Sequence, residues 1–185
     1  EPGISTVTFS GADVFRISTD GITDDYTVNA LESDGSVSTP TATSAVISGS
    51  NTEFTFGTNI SDGTHLVVTG EDAVGNNSST LLVLEDNATE VGTTGHAGLS
   101  SFNIDSLNLE YAADVSLSLT EADIKALSTN SDSVTIHGGA DDTVTITGAS
   151  ATGTTQVIDG ETFDVYTIGS DGATLVIEDD ITVII

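Results

Sequence analysis

Carboxylate and carboxamide side chains are concentrated in three short stretches of the sequence. Calcium and other hard divalent cations are bound by clustered carboxylate, carboxamide and carbonyl oxygens, so these stretches predict bound calcium. The alternative for any one pair of acids is a solvated turn, because a chain with 29 Asp and Glu residues forms some clusters by chance. The predicted metal ligands are Asp20, Asp24, Asp25, Glu71, Asp72, Asn76, Glu85 and Asp86.

Residue patterns that mark catalytic centres are missing from the sequence. The three histidines, His65, His96 and His137, are far apart and show no HExxH spacing. The chain has no cysteine, and no serine lies in a GxSxG sequence. A pair of carboxylates at glycosidase separation would carry no information in so acidic a chain. We therefore predict that the protein is not an enzyme and has no catalytic residues.

Residues 137–142 (HGGADD) combine glycine with acidic residues, as calcium-binding nonapeptides do. That motif requires tandem copies with glycine and aspartate at fixed offsets, and this stretch satisfies neither condition. No EF-hand spacing of acidic residues occurs in the sequence either. The stretch is therefore predicted to be the turn of a β-hairpin between strands at residues 133–137 and 143–147.

The charge of the chain restricts its partners. Only two basic residues, Arg16 and Lys125, stand against 29 acidic ones, which gives a formal net charge of -27. Nucleic acids and anionic membranes require Lys and Arg to meet their phosphates, so both are excluded as partners. No run of eighteen apolar residues is present, so no membrane insertion is expected. Self-repulsion of this charge favours bound or screening cations.

Short segments of alternating polar and apolar residues, separated by Gly, Asn and Asp, predict an all-β fold. We expect two consecutive β-sandwich-like domains, residues 1–90 and 91–185, with a linker at residues 85–99. One short helix is predicted at residues 121–127, where Thr120 is the N-cap and Asp123 completes a capping box. The uncharged final segment, residues 181–185, either closes its own sandwich or pairs with a strand edge of another subunit.

Two pairs of phrases carry a resemblance to a protein family. Residues 19–25 (TDGITDD) and 62–79 (DGTHLVVTGEDAVGNNSS) resemble the opening and closing strands of immunoglobulin-like repeats in bacterial RTX/Bap-like giant adhesins exported by type I secretion. Residues 132–148 (DSVTIHGGADDTVTITG) and 159–177 (DGETFDVYTIGSDGATLVI) are similar to the β domain that follows such repeats. The resemblance implies an immunoglobulin-like first domain, an extracellular, cell-surface location, and calcium at the junction between domains.

The expected function is a non-enzymatic structural or adhesive role as a calcium-stabilised spacer or assembly unit. Its expected partners are neighbouring domains or copies of itself. One alternative is a self-assembling subunit of an extracellular filament or surface layer, held by strand exchange. Another is a glycan-binding module, which would need an exposed aromatic platform. The chain has only six Phe, three Tyr and no Trp, which counts against the glycan-binding alternative.

Overall fold

The computed structural model describes residues 2–20, 26–47, 51–71, 74–89 and 97–185. These residues form sixteen β-strands, one short α-helix and one 3-10 helix, which confirms the predicted all-β fold. None of the described helices is long and apolar enough to span a membrane.

The first half of the chain is a two-sheet sandwich. Its strands are β1 (Ile4–Ser10), β2 (Asp13–Asp20), β3 (Thr27–Leu31), β4 (Val37–Ser38), β5 (Ala42–Ile47), β6 (Asn51–Ile60), β7 (His65–Glu71) and β8 (Asn77–Leu82). One sheet has the order β1-β2-β6-β5, and the other runs β8-β7-β3-β4. This is the strand order of an immunoglobulin sandwich, with sheets ABED and CFG extended by one strand.

The core of this sandwich follows from alternation along its strands. Ile17 and Phe54 of the first sheet are buried in one cluster with Leu66, Val68 and Leu82 of the second. Val67 and Leu81, which alternate with these residues along β7 and β8, are also apolar and buried. They belong to a second core on the opposite face of the sheet. Strands β7 and β8 are therefore covered on both faces, which explains their continuous apolar runs.

The second half of the chain has eight strands, and all of them except β13 and β14 have parallel partners. They are β9 (Ile104–Asn108), β10 (Ser116–Ser118), β11 (Ser133–His137), β12 (Thr143–Thr145), β13 (Ala149–Ile158), β14 (Glu161–Ile168), β15 (Ala173–Glu178) and β16 (Thr182–Ile184). Strand β11 pairs in parallel with both β9 and β15. Strand β12 pairs in parallel with both β10 and β16. Each of three chain segments contributes one strand to each of these two sheets, and the segments stack as the coils of a β-helix do. We call them coil 1 (β9 to β10), coil 2 (β11 to β12) and coil 3 (β15 to β16), each with the turn between its two strands.

The hairpin predicted at residues 137–142 is wrong. This segment crosses from β11 in one sheet to β12 in another, so the two strands do not pair with each other. Their backbone groups bond instead to strands of the coils before and after. The reason is long-range: parallel neighbours from distant parts of the chain compete successfully with the local antiparallel partner. The true hairpin in this half joins β13 to β14, and β14 pairs antiparallel with β15.

One nine-stranded sheet connects the two halves, in the order β13-β14-β15-β11-β9-β8-β7-β3-β4. Strand β8 pairs in parallel with β9, and beyond this pairing the Val83 N–H donates to the Asn108 carbonyl at 2.9 Å. Within the predicted linker, Ala88 is buried and accepts a hydrogen bond from Ser116. The division into two domains at residue 90 stays a prediction, but the nine-stranded sheet contains strands from both sides of it.

The predicted helix at residues 121–127 is confirmed as α1 (Glu121–Leu127). The Asp123 N–H donates to Thr120 Oγ1 at 3.3 Å, and the Thr120 N–H donates to Asp123 Oδ2 at 3.0 Å. Lys125 forms an ion pair with Glu121 one turn earlier in the helix and another with Asp171 in the turn before β15. The capping box fixes the start of α1 at Glu121, and the helix connects β10 of coil 1 to β11 of coil 2.

The terminal segment pairs with its own chain along one edge, and its pairing with another subunit along the other edge stays a prediction. Strand β16 pairs with β12 on one side and lies at the end of the three-stranded sheet formed by the described residues. Ile184 and Ile185 are about half exposed, at 50% and 59%.

Candidate functional site

A row of polar side chains crosses three neighbouring strands of the large sheet at their carboxyl ends. Asn108, the last residue of β9, is paired in register with His137, the last residue of β11. Ile136 is paired with Ile177 of β15, which places Glu178 beside His137. Because side chains alternate along a strand, these three residues share the face opposite the large apolar core.

Glu110, His137 and Glu178 form a cluster with the composition of a metal site. One ligand atom from each lies within 4.8 Å of the others. Glu110 is exposed and follows the end of β9 by two residues, His137 is half-buried, and Glu178 is buried. The cluster brings two carboxylates and one imidazole together from three coils of the chain.

Glu178 is held by the backbone of the neighbouring coil. Its Oε2 accepts the Gly138 N–H at 3.1 Å, and its exposed fraction is 7%. Burial raises the pKa of Glu178, while the Gly138 N–H and the charge of His137 oppose that rise. Both basic residues of the chain are engaged elsewhere, Arg16 with Glu53 and Lys125 with Glu121 and Asp171. No Lys or Arg side chain therefore balances this carboxylate.

An aromatic contact fixes the imidazole of His137. The ring of Phe163 meets it edge-on, with 5.1 Å between ring centroids and 77° between ring planes. Phe163 itself is fully buried and is paired in register with Glu178. The strand pairing that positions Glu178 thus also positions the ring against which His137 packs.

Asn108 extends the cluster and has an unsatisfied oxygen. Its side chain is buried, with an exposed fraction of 5%, and its Nδ2 lies 3.5 Å from Glu110 Oε2. Its Oδ1 has no hydrogen-bond partner among the residues that the structure describes. Buried carbonyl oxygens without a partner are uncommon in folded proteins.

The polar row opens into a cleft of about 530 Å³. Strands β8, β9 and β11 contribute Thr80, Ser106, Asn108 and His137 to it, and Glu110 lies at their end. The remaining lining comes from the amino-terminal segment, Asp20, and the turn between β13 and β14, namely Pro2, Gly3, Ile4, Ile158, Asp159 and Glu161. The cleft thus lies between the two halves of the chain.

The predicted calcium ligands of the first stretch are only partly described. Asp20 ends β2, lines the cleft, and its Oδ1 lies 3.4 Å from Asn51 Nδ2. Asp24 and Asp25 lie outside the described residues, as does Asp72 of the second stretch.

The other predicted ligands are exposed and lie at the end of a strand or in turns. Glu71 ends β7 and Asn76 precedes β8, and both are exposed. Glu85 and Asp86 follow β8, and Asp86 Oδ1 accepts the Ala113 N–H at 2.8 Å. Within the described ranges, the cluster of Glu110, His137 and Glu178 is the metal-type grouping found, and it contains none of the eight predicted ligands. Their role in calcium binding stays a prediction.

Sequence reasoning missed Glu110, Glu178 and Asn108, and it treated His137 as isolated. These residues are far apart in the chain and acquire a common location only when β9, β11 and β15 stack in parallel. The available signal is positional: each of these strands ends on a polar residue after an apolar one, as Leu107-Asn108, Ile136-His137 and Ile177-Glu178. That signal has meaning only once the parallel stacking is known.

Comparisons with family models, with curated proteins and with solved structures found no match for the chain. The resemblance to bacterial adhesins therefore rests on the sequence phrases given above. The fold agrees with its structural implication for the first half, where the strand order is that of an immunoglobulin sandwich.

Proposed function

We propose that the chain is a non-enzymatic structural module of an extracellular bacterial surface protein, serving as a calcium-stabilised spacer or assembly unit. The observation that carries this proposal is the nine-stranded sheet that runs through both halves. A spacer transmits force between its neighbours, and a sheet continued by backbone hydrogen bonds resists bending better than two domains joined by a flexible linker.

Packing supports the same role. Leu31, Val67 and Leu81 of the first half are buried in one core with Leu107 and Ile136 of the second half. Strand β9 also covers the edge of β8, which would otherwise be open to pairing with another chain. The two halves therefore depend on each other for burial of apolar surface.

Charge supports a stabilising role for calcium. The net charge of -27 disfavours the compact state, and the chain's own basic residues neutralise little of it. An ion that binds only the folded chain raises the free energy of unfolding by about 2.7 kcal/mol when its concentration is a hundredfold above Kd. Low calcium inside the cell would then favour an unfolded, exportable chain, and high calcium outside would favour folding.

A second candidate function is self-assembly by strand exchange between subunits. The observation in its favour is β16, whose outer edge is unpaired within the described part of the chain and whose residues carry no charge. Exposed, uncharged, β-branched edges are competent to pair with other sheets.

A glycan-binding role has less support, because it would need an exposed aromatic platform. Phe9, which is 41% exposed, is the most exposed of the nine aromatic residues.

The test is thermal unfolding in excess EDTA, in calcium, in magnesium and in NaCl of matched ionic strength. We expect calcium to raise Tm by many degrees more than magnesium or NaCl. The variant Glu71→Gln/Asp72→Asn should lose part of this rise. The variant Asp179→Asn/Asp180→Asn, which removes two carboxylates from the exposed turn after β15, should keep it. Equal effects of calcium and NaCl would overturn the calcium-dependent mechanism.

Electron microscopy of the same samples separates the two candidate functions. Monomers at all protein concentrations support a spacer. Fibres whose formation depends on protein concentration support strand-exchanged assembly.

A further inference from the structure

We propose that Glu110, His137, Glu178 and the side-chain oxygen of Asn108 bind one divalent transition-metal ion, for which Zn²⁺ is the probe. The site is distinct from the acidic loops predicted to bind calcium. It also does not depend on the structural role proposed above, since a metal ion at this position would join coils 1, 2 and 3 in any functional context.

The kinds of donor atom select the class of metal. One imidazole nitrogen and two carboxylate oxygens lie within 4.8 Å of one another. Zn²⁺ takes His nitrogen and carboxylate oxygen at about 2.0–2.2 Å, so small side-chain movements would bring all three donors into range. Calcium and magnesium are bound by oxygen ligands alone, whereas imidazole favours zinc and the other first-row transition ions.

The charge at this position favours binding of a cation. Glu178 is buried, and the two basic residues of the chain form their ion pairs with Glu53, Glu121 and Asp171. A buried carboxylate is stable when it is paired or coordinates a metal. A divalent ion would neutralise Glu110 and Glu178 together.

Asn108 provides an independent indication of a ligand. Its Oδ1 is the buried side-chain oxygen that lacks a hydrogen-bond partner within the described ranges, and its side chain lines the cleft together with Glu110 and His137. Its amide group faces Glu110 through Nδ2. A half-turn of this amide group would exchange Nδ2 and Oδ1, so that the oxygen could complete the coordination of the ion or hold a water molecule bound to it.

Two of the donors are already positioned by groups that do not coordinate. Phe163 packs against the imidazole of His137, and the Gly138 N–H holds Glu178 Oε2. Such second contacts commonly change metal affinity 10–100-fold when removed. The cleft leaves the cluster open on one side, which gives an ion an entry path.

The experiment is calorimetric titration of the EDTA-treated, dialysed full chain with Zn²⁺ in a large excess of calcium and magnesium. We expect one tight site per chain. Glu178→Gln and His137→Gln should each weaken Zn²⁺ binding by at least about tenfold. Removal of a residue that only supports a ligand costs about 10–100-fold in metal affinity, and removal of the ligand itself should cost no less. The double variant Asp179→Asn/Asp180→Asn removes two charges from the exposed turn after β15 and should bind Zn²⁺ as the wild type does.

Nuclear magnetic resonance keeps the proposal testable if a variant folds poorly. In the wild-type chain, substoichiometric Mn²⁺ should broaden the ring signals of His137 while leaving those of His65, a buried residue outside the cluster, much sharper. Zn²⁺ that is fully displaced by calcium would overturn the proposal, because it would indicate general attraction to an acidic surface. Equal broadening of both histidines would also overturn it, because the ion would then not be held beside His137.

Discussion

The carboxylate of Asp142 accepts the backbone N–H of Val115, with 3.1 Å between Oδ1 and the nitrogen. Its other oxygen accepts the Gly139 N–H at 2.9 Å. Asp142 lies in the turn of coil 2 and Val115 in the turn of coil 1, so one buried carboxylate joins two successive coils. Asp86, an exposed residue after β8, accepts the Ala113 N–H of coil 1 at 2.8 Å.

Replacing Asp142 by asparagine should lower the free energy of unfolding. Asparagine keeps one acceptor oxygen but turns an NH₂ group towards the second N–H, and the site is only 1% exposed. The expected loss is about 1–3 kcal/mol, the usual effect of leaving a buried polar group unsatisfied. Urea unfolding measures it. Asp141→Asn, at the exposed neighbour with a weaker 3.4 Å contact to Asp114, is the control and should cost less. Equal losses would contradict the assignment.

Stability should also depend on pH through Asp142. Burial raises the pKa of Asp142 above its ordinary value of 3.8, with help from the nearby charges of Asp141 and Asp114 and against two backbone N–H groups. The folded chain therefore keeps this proton to higher pH than the unfolded chain does. As pH rises from about 3.8 through the raised pKa, this group's contribution to the free energy of unfolding falls.

The pH effect is isolated by comparison with the variant. Asp142→Asn cannot titrate, so the stability of the wild type relative to this variant should decrease as pH increases across that window. Denaturant unfolding at a series of pH values supplies the difference. A relative stability that increases with pH would show that the folded-state pKa is lowered instead.

Gly138 should tolerate no side chain. A Cβ at this position would lie 2.6 Å from Asp142 Oδ2 and 3.1 Å from Ile181 Cδ1. Gly138→Ala should therefore lower the free energy of unfolding by about 1–3 kcal/mol, as overpacking does. Gly57→Ala is the matched control, since its nearest contact is an ordinary 3.5 Å. If both variants unfold at the same urea concentration, Gly138 does not pack as closely against Asp142 and Ile181 as described.

Leu81 should couple the two halves of the chain. It is fully buried in the core that both halves share, and it is paired in register with Leu107 across the β8–β9 junction. Leu81→Ala should cost about 2–5 kcal/mol and should increase hydrogen exchange in both halves. Val157→Ala, at a position that is 71% exposed, should change little. Faster exchange confined to residues 1–90 would indicate that the halves unfold independently.

Local features of this fold were predictable from sequence, and long-range pairing was not. Thr120 and Asp123 gave the helix its correct start because a capping box is contained within four residues. The strand at residues 133–137 was also predicted from its own alternation. Its partners were not, because parallel pairing of β9, β11 and β15 depends on segments separated by a helix and a hairpin.

The candidate metal site was hidden for the same reason. His137 and Glu178 have no sequence spacing that marks a metal site, and they become neighbours only through the register of two parallel strands. Acidic loops, in contrast, are visible in any sequence with this charge. Sequence reasoning therefore favoured Glu71 and Asp86 over residues whose proximity is purely tertiary.

The central claim is that the chain acts as one mechanically continuous module, and single-molecule force spectroscopy tests it most directly. The chain would be pulled between reference domains of known unfolding length, in calcium and in EDTA. We predict a single unfolding event in calcium that releases the contour length of the whole chain, at about 3.6 Å per residue, and a lower unfolding force in EDTA. Two separate events of about half that length each, with forces unaffected by calcium, would contradict the account.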